Sequence, residues 1–368
     1  MNSPAFSFEL PFSSAISPHV EELRAHADAW SARSGMLDLI GRTTWAGGRF
    51  ERLVARMYPQ APLPELRLVC DGVLWLFLYD DFLVPGQEGD EQERALSCAG
   101  LTARILGGTV GTRPDPPAGA LWDLRRELLA AGPARWWQRW AADVQDFADS
   151  LHDEAVSRAR GVPEDVEAYL ALRRRTSGWA MLTDFVETAA GRVLPHDVPA
   201  SPSYVAVRRA AGDVACAIND LLSLRKELAA GESHNLVLVL ARNRGYDTAE
   251  AVREAERWIA TRLSDYRQAR QVFLDDCAHA GPAAAEPAAA FVQGLESLMR
   301  GSLDWSLESA RYTHVPGNTA APARPGGTDR SCSHPTGVHI TKRGSDHEAS
   351  LSPSRPVPLD SGPDAQRS

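Results

Sequence analysis

Oxygen-bearing side chains recur at every fourth residue in the segment AINDLLSLRKEL, which covers residues 217 to 228. They are Asn219, Ser223 and Glu227. On an α-helix a step of four residues turns the side chain by only about 40°, so all three oxygens project from one face. Such a set of hard donors fits a hard cation, although the solvated face of an amphipathic helix has the same pattern.

A second group of oxygen donors follows the apolar run VLWLFLY at residues 73 to 79. Asp80 and Asp81 come directly after this run, and adjacent carboxylates near a core repel each other and resist the loss of water. A bound cation would remove that cost, whereas a helix that emerges into water would leave both aspartates solvated. A similar pair, Asp275 and Asp276, lies near the end of a strongly charged helix and is interpreted as a surface feature.

Together the two groups predict one cavity in which several Mg²⁺ ions lie between protein oxygens and a substrate diphosphate. Mg²⁺ prefers octahedral oxygen coordination and is usually bound by few protein ligands together with substrate phosphates. A diphosphate also needs cationic donors. The segments LRRRTSG and ARY supply Arg173 to Arg175, Arg311 and Tyr312 for charge-assisted hydrogen bonds.

The elements that must position these residues are helices. Apolar residues recur with a period near 3.6, and strand-like alternation is scarce. The run VLWLFLY continues a helical pattern from Leu63 and is apolar on all faces, which predicts a helix in the middle of a bundle. Ser17 is the predicted N-cap of the first helix, and Gly35 is its predicted stop. The sequence therefore predicts an all-α fold built as a single helical bundle.

The chain divides into three parts. Residues 1–16 are predicted to be an irregular lead-in, and residues 17–312 the helical domain. Residues 313–368 hold eight of the 25 prolines and no Trp, Phe or Tyr, which predicts a disordered tail. Within this tail Cys332, His334 and His339 lack a fourth partner, so we interpret them as incidental rather than as a zinc site.

Composition excludes several functional classes for this chain of 368 residues. A net charge of −9 argues against a nucleic-acid partner. The five cysteines form no C-x-x-C pair and are expected to be reduced thiols. The first residues show no basic segment followed by an apolar one, so we expect no secretory signal, and no apolar stretch approaches the roughly 18 residues of a membrane span. We therefore expect a cytoplasmic protein without stable membrane insertion.

Four features together resemble the bacterial class I terpene cyclases. They are Asp80-Asp81 after an apolar, aromatic helix, the motif NDLLSLRKE, Arg173 located 46 residues before Asn219, and RY near the end of the last helix. The resemblance extends from about residue 8 to residue 312. It implies the class I terpenoid synthase bundle and, as a partner arrangement common among similar proteins, a possible homodimer.

The resemblance also implies the reaction. The protein would bind a linear prenyl diphosphate with about three Mg²⁺ ions, with the C15 farnesyl diphosphate favoured over the C10 and C20 substrates. The substrate would ionise and cyclise to a terpene hydrocarbon or alcohol, and diphosphate would be released.

Roles for single residues follow from the same resemblance. Asp80 would ligate Mg²⁺ with Asp81 in a helper role, and another ion would be held by Asn219, Ser223 and Glu227. Arg173 is similar to the diphosphate-sensing arginine. The diphosphate would be contacted by Lys226, Arg311 and Tyr312. The helix-break positions that relay the movement of Arg173 would be Thr176 and Ser177, or Gly178 in place of Ser177.

A carbocation survives only where water is excluded and electron-rich faces surround it, so the cavity should be apolar and aromatic. Phe77, three residues before Asp80, and Trp305, six residues before Arg311, are the first candidates. Trp75 and Trp179 rank behind them. Core packing explains any single aromatic residue equally well.

One departure from the family pattern leaves alternatives open. The first motif normally has a third acid shortly after the aspartate pair, but this chain has Val84 and Pro85 there, and Glu88 is the first acid downstream. A catalytically silent isoprenoid-binding bundle is therefore an alternative. A prenyl chain-elongating synthase is another, although it should carry aspartate-rich motifs on both helices.

Overall fold

The computed structural model describes residues 8–83, 91–161, 163 and 165–313. These ranges contain α-helices, one 3₁₀ helix at Val198–Ala200 and no strand, so the predicted all-α fold is confirmed. The helices are α1 Val20–Ser34, α2 Met36–Ile40, α3 Arg42–Gly48, α4 Phe50–Met57, α5 Leu63–Leu83, α6 Glu91–Leu106, α7 Ala118–Ala131, α8 Ala134–Arg160, α9 Val166–Thr176, α10 Trp179–Ala190, α11 Pro202–Ala230, α12 Leu236–Arg244, α13 Thr248–Ala280, α14 Pro282–Glu308 and α15 Ala310–Thr313.

Some of the sequence predictions lie outside the described residues. They concern residues 1–7 of the lead-in and the positions of the missing third acid, which are Val84, Pro85 and Glu88. They also concern nearly all of the predicted tail, including Cys332, His334 and His339. Residues 8–16, the remainder of the predicted lead-in, are not helical.

Helix α5 is the helix predicted to be apolar on all faces. All residues from Val69 to Leu76 are buried, and α5 packs against α1, α2, α4, α6, α7 and α10. Gly72 permits the close approach of α10, because a Cβ atom there would lie 2.3 Å from Cζ of Phe185. The buried helix ends in the turn that carries Asp80 and Asp81.

Helix α11 is the second long element of the site. Its N-cap Ser201 accepts a hydrogen bond from the Tyr204 N–H at 3.2 Å, and its C-cap Gly231 adopts a left-handed φ of 75°. It packs against α9, α10, α12, α13, α14 and α15, and its residues from Ala211 to Ile218 are all buried. This burial places the middle of α11 inside the bundle rather than on a solvated face.

The chain leaves the helical conformation between α9 and α10. Thr176 ends α9, and the hydroxyl of Ser177 accepts a hydrogen bond from the Trp179 N–H at 3.2 Å. Gly178 has a left-handed φ of 61°, and a Cβ atom there would lie 2.5 Å from Cδ1 of Leu76. The predicted helix break therefore lies against α5.

The start of α1 differs from the prediction. Ser17 is not the N-cap, because its hydroxyl accepts a hydrogen bond from the His19 N–H at 3.2 Å and its own N–H donates to the Ala55 carbonyl at 2.8 Å. These bonds fix a turn, and the helix begins only at Val20. The predicted stop is confirmed, since Gly35 is a left-handed C-cap.

The RY pair also lies on a different element from the one expected. Helix α14 ends at Glu308, and the hydroxyl of Ser309 then accepts a hydrogen bond from the Arg311 N–H at 3.2 Å. Arg311 and Tyr312 consequently belong to the separate short helix α15.

Candidate active site

A cavity of about 280 Å³ lies within the bundle. Side chains from α4, α5, α6, α8, α9, α10, α11, α14 and α15 line it. The predicted site residues that line it are Phe77, Asp80, Asp81, Arg173, Thr176, Ser177, Trp179, Asn219, Ser223, Lys226, Glu227, Arg311 and Tyr312. The predicted donors Arg174 and Arg175 do not line it, because Arg174 pairs with Asp213 and Arg175 pairs with Asp146 and Asp153. Trp75 and Trp305 do not line it either. Asp275 and Asp276 are exposed, which agrees with their interpretation as a surface feature.

The aspartate pair is in a strongly charged environment. Burial, and then the neighbouring carboxylates of Asp81 and Glu154, raise the pKa of Asp80 to about 7. Asp81 accepts two hydrogen bonds from the guanidinium of Arg311, at 2.8 Å and 2.6 Å. A cation next to Asp80 would favour the ionised carboxylate and offset its burial.

The triplet on α11 is held by polar partners from several elements. Asn219 accepts a hydrogen bond from Nη2 of Arg173 at 2.8 Å, and its amide donates to the Tyr312 hydroxyl at 3.1 Å. Glu227 accepts a hydrogen bond from the Asn235 amide at 2.7 Å, while burial and the charge of Asp220 raise the pKa of Glu227. The triplet is therefore part of an internal polar network and not a solvated face.

Asp220 is a structural anchor that the sequence reasoning missed. It is 2% exposed and accepts hydrogen bonds from Nε of Arg173 at 2.9 Å and from the Leu236 N–H at 3.0 Å. The hydroxyl of Tyr169 donates to the same carboxylate. Asp220 thus ties α9 and α12 to α11 and fixes Arg173 at the cavity. Its sequence signal is an acid in a helix interior directly after Asn219.

Two further cations border the cavity. Burial, and then the charge of Arg311, lower the pKa of Lys226. Desolvation works against the charge of Arg311, but Asp81 outweighs it and raises the arginine pKa. Arg311 also lies with its Cζ 5.9 Å from the ring centroid of Phe50. These groups give the cavity a cationic part that suits a polyanion.

Trp305 lies behind the cavity wall instead of in it. Its ring is 5.8 Å from that of Phe77 and 5.6 Å from that of Tyr312, and its Nε1 donates to the Gly48 carbonyl at 2.8 Å. Trp75 is likewise a core residue, since its Nε1 donates to the Pro117 carbonyl at 3.3 Å. The aromatic residues that do line the cavity are Phe77, Phe147, Trp179 and Tyr312.

The helix-break residues border the same cavity. Thr176 is 6% exposed, and its hydroxyl has no hydrogen-bond partner among the described residues. The hydroxyl of Ser177 donates to the Arg174 carbonyl at 3.1 Å. Both residues lie within four positions of Arg173, but their part in a relay stays a prediction.

An ion-pair group around Arg158 was also missed. Arg158 donates to Glu91 at 2.8 Å and to Glu232 at 3.4 Å, and it lies 3.3 Å from Glu154 on the preceding turn of α8. All four side chains line the cavity. The signal in the sequence was the spacing of Glu154 and Arg158, which is four residues on one helix.

The donor set fits a divalent metal that is completed by substrate oxygens. Asp80, Asp81, Asn219, Ser223 and Glu227 offer only oxygen donors, which Mg²⁺ prefers. Within the ranges that the structure covers, no group of three or more His, Cys, Asp or Glu residues could hold a metal ion alone. Phosphate oxygens of a substrate would supply the missing ligands. In the same ranges no helix is long and apolar enough to cross a membrane.

Comparisons with known proteins agree with this site. The family model described as terpene synthase family 2, C-terminal metal binding, matches residues 71–265. Pentalenene synthase from Streptomyces avermitilis is 31% identical over 311 residues, which cover 83% of this chain and 92% of that enzyme. A Streptosporangium roseum enzyme, 4-epi-cubebol synthase, named as cyclizing (2E,6E)-farnesyl diphosphate, is 34% identical over 309 residues, with coverage of 82% and 90%.

The fold agrees as well. The crystal structure of germacradien-4-ol synthase from Streptomyces citricolor has a TM-score of 0.73 and 27% identity, and the match covers 84% of this chain and 100% of that chain. The family model spans more than half of the present chain, and the two enzymes align along most of it. The chain therefore belongs to the bacterial class I terpene cyclases of terpene synthase family 2.

Proposed function

We propose that the protein is a Mg²⁺-dependent cyclase that ionises farnesyl diphosphate, cyclises the carbocation to a terpene hydrocarbon or alcohol, and releases diphosphate. One observation carries the proposal. The Asp80-Asp81 pair on α5 and the Asn219, Ser223 and Glu227 face of α11 border the same cavity, whose other wall is apolar and aromatic. Two sets of oxygen donors that face one cavity suit a metal-bound diphosphate.

The charged side chains bind and orient the diphosphate. Arg173 donates to Asn219, and Arg311 donates to Asp81. We expect phosphate oxygens to replace these partners, which would leave the protein oxygens available to a metal. Lys226 and the Tyr312 hydroxyl add further donors. Bound Mg²⁺ would supply positive charge that stabilises the leaving diphosphate.

Apolar side chains control the fate of the hydrocarbon. Phe77, Phe147 and Trp179 line the cavity together with aliphatic residues such as Met57 and Leu182. They exclude water, and their rings stabilise positive charge through their electron-rich faces. The choice of a C15 substrate rests on the relative that is named as cyclizing farnesyl diphosphate.

Turnover of defined substrates tests the proposal. Purified protein is incubated with C10, C15 and C20 prenyl diphosphates, with Mg²⁺ or with EDTA, and the extract is analysed by gas chromatography and mass spectrometry. We expect a cyclic product from the C15 substrate that disappears with EDTA and in Asn219→Ala. Diphosphate binding without product would indicate a silent binder, and longer prenyl diphosphates would indicate a chain-elongating synthase.

We also propose that the protein is cytoplasmic, which cell fractionation checks. We further propose that it forms a homodimer, which light scattering on the purified protein checks.

A further inference from the structure

Trp179 is fixed in the cavity wall by two hydrogen bonds. It is the first residue of α10, directly after the helix break, and it is 7% exposed. Its N–H donates to the Ser177 hydroxyl at 3.2 Å, and its indole Nε1 donates to the Arg208 carbonyl on α11 at 3.0 Å. The pyrrole edge of the ring is therefore tied to α11.

The glycine at position 212 of α11 makes room for this ring. A Cβ atom at Gly212 would lie 2.6 Å from Cδ1 of Trp179 and 3.0 Å from its Nε1. Distances this short require the ring or the backbone of α11 to move. Glycine weakens a helix interior, so a glycine in the buried middle of α11 points to a specific need for close approach.

The position of Gly212 shows on which side of α11 the indole ring lies. Gly212 lies seven residues before Asn219, which is about two helical turns, so both residues are on one face of α11. Ala215, Cys216 and Asn219 on this face line the cavity. The indole ring is thus held on the same side of α11 as the oxygen donors, about 10 Å from Asn219 along the helix axis.

The two phenylalanines of the wall are held differently. Phe77 packs on the rings of Phe50 and Trp305, and Phe147 packs on those of Trp75 and Tyr79. Their replacement would disturb core packing as well as the cavity. Trp179 also belongs to the buried core, but a hydrogen bond from its indole and the absence of a Cβ atom at Gly212 fix the position of its ring.

We infer that Trp179 is a specificity-determining residue of the cyclisation and that Gly212 is its positioning residue. The inference rests on the proposed function. The indole ring is the wall against which the ionised prenyl chain folds, and its electron-rich face favours those cation positions that lie next to it. A small displacement of the ring changes which ring closure is fastest and therefore which product is formed.

Product ratios test this inference. Wild type, Trp179→Leu, Trp179→Phe and Gly212→Ala are compared for product composition and for the rate of diphosphate release. We expect Trp179→Leu and Gly212→Ala to change the ratio of main product to side products by about tenfold, as a lost cation–π contact would. The fold-change in the product ratio should exceed the fold-loss in the rate of diphosphate release. Trp179→Phe keeps a ring and should change the ratio less than Trp179→Leu.

Two controls separate the indole position from general effects. Gly100→Ala is the same substitution inside a helix, at a position with no atom within 4 Å of the added Cβ, and should leave the products unchanged. In the double variant Gly212→Ala/Trp179→Leu, the product ratio should equal that of Trp179→Leu, because Gly212 acts only through the indole.

Two outcomes would overturn the inference. One is a wild-type product ratio in Trp179→Leu, and the other is a further change when Gly212→Ala is added to Trp179→Leu. If Gly212→Ala does not fold, the product ratios of Trp179→Leu and Trp179→Phe decide the question, because the inference requires the larger change in Trp179→Leu. A wild-type protein that forms no cyclic terpene refutes the proposed function itself, which distinguishes that failure from a failure of the inference.

Discussion

Replacement of Asp220 tests whether this residue supports catalysis in addition to stabilising the fold. Asp220→Asn keeps the side-chain shape but removes the charge that holds Arg173, so a buried cation loses its partner. We expect stability to fall by about 3 kcal/mol and turnover to fall about 100-fold, because the arginine is displaced. Urea unfolding and the turnover assay measure the two effects.

A matched control for this prediction lies about two turns away on α11. Asp213 accepts hydrogen bonds from Arg174 at 2.6 Å and 3.1 Å, is 3% exposed and does not line the cavity. Asp213→Asn should lower stability to a similar extent and leave most turnover intact. Equal losses of turnover in both variants would show that Asp220 serves only folding.

A buried acid on α5 should make stability depend on pH. Burial raises the pKa of Asp71 to about 6, although its contact with Nε2 of His26 at 2.6 Å lowers it in part. Because the folded-state pKa lies above the unfolded value, this contribution to stability is present below about pH 4 and lost as pH rises through about 6. Asp71→Asn should therefore stabilise the protein at pH 8, by up to about 3 kcal/mol, and have little effect at pH 4.

Thermal melts at the two pH values check this sign. Asp38→Asn changes an exposed acid on α2 and should show no such difference between the two pH values. A stabilisation by Asp71→Asn that is larger at pH 4 than at pH 8 would contradict the argument.

Single residues also show which parts of the site the sequence could predict. Asn219, Ser223 and Glu227 were identifiable because their spacing of four occurs together with the Asp80-Asp81 pair, whereas the spacing alone also fits a solvated helix face. Phe147 and Trp305 were not, because both helices bury residues on several faces, and periodicity then does not tell which ring meets a cavity. Asp220 needed knowledge of α9 and α12, whose positions depend on tertiary packing.

At the scale of elements, helix existence was predictable and helix ends were less so. The apolar run in α5 and the face of α11 predicted both helices. The start of α1 was displaced by a bond from Ser17 to Ala55 of α4, which no local pattern reveals. The break between α14 and α15 depends likewise on Ser309, whose hydroxyl donates to the Gly48 carbonyl.

The break between α9 and α10 allows a paired test. Gly178 and Gly191 share a φ of 61°, but a Cβ atom at Gly178 would meet Leu76 at 2.5 Å, whereas one at Gly191 has no atom within 4 Å. Gly191→Ala should cost about 1 kcal/mol through its left-handed backbone alone. Gly178→Ala should cost about 1–3 kcal/mol more, because it also overpacks α5. Unfolding measurements compare them, and equal costs would mean that the contact with Leu76 is unimportant.

At the scale of the whole molecule, the cavity extends beyond the segment that the family model matches. Leu53 and Met57 precede residue 71, while Ser302, Arg311 and Tyr312 follow residue 265, and all five line the cavity. Helix α4 therefore adds aliphatic side chains to the wall, and α14 and α15 complete it with Ser302, Arg311 and Tyr312. This arrangement explains why the site includes helices that are distant in sequence.

The same boundaries predict which part of the chain turnover requires. Every residue that lines the cavity lies between Leu53 and Tyr312, so a shortened chain that ends at Val315 keeps the whole lining. We expect it to match the full chain in kcat, product composition and melting temperature. A chain that ends at Glu308 is the informative comparison, because it lacks Arg311 and Tyr312 and should lose turnover. A chain ending at Val315 that folds with unchanged helicity yet produces no terpene would show that the last residues take part in catalysis.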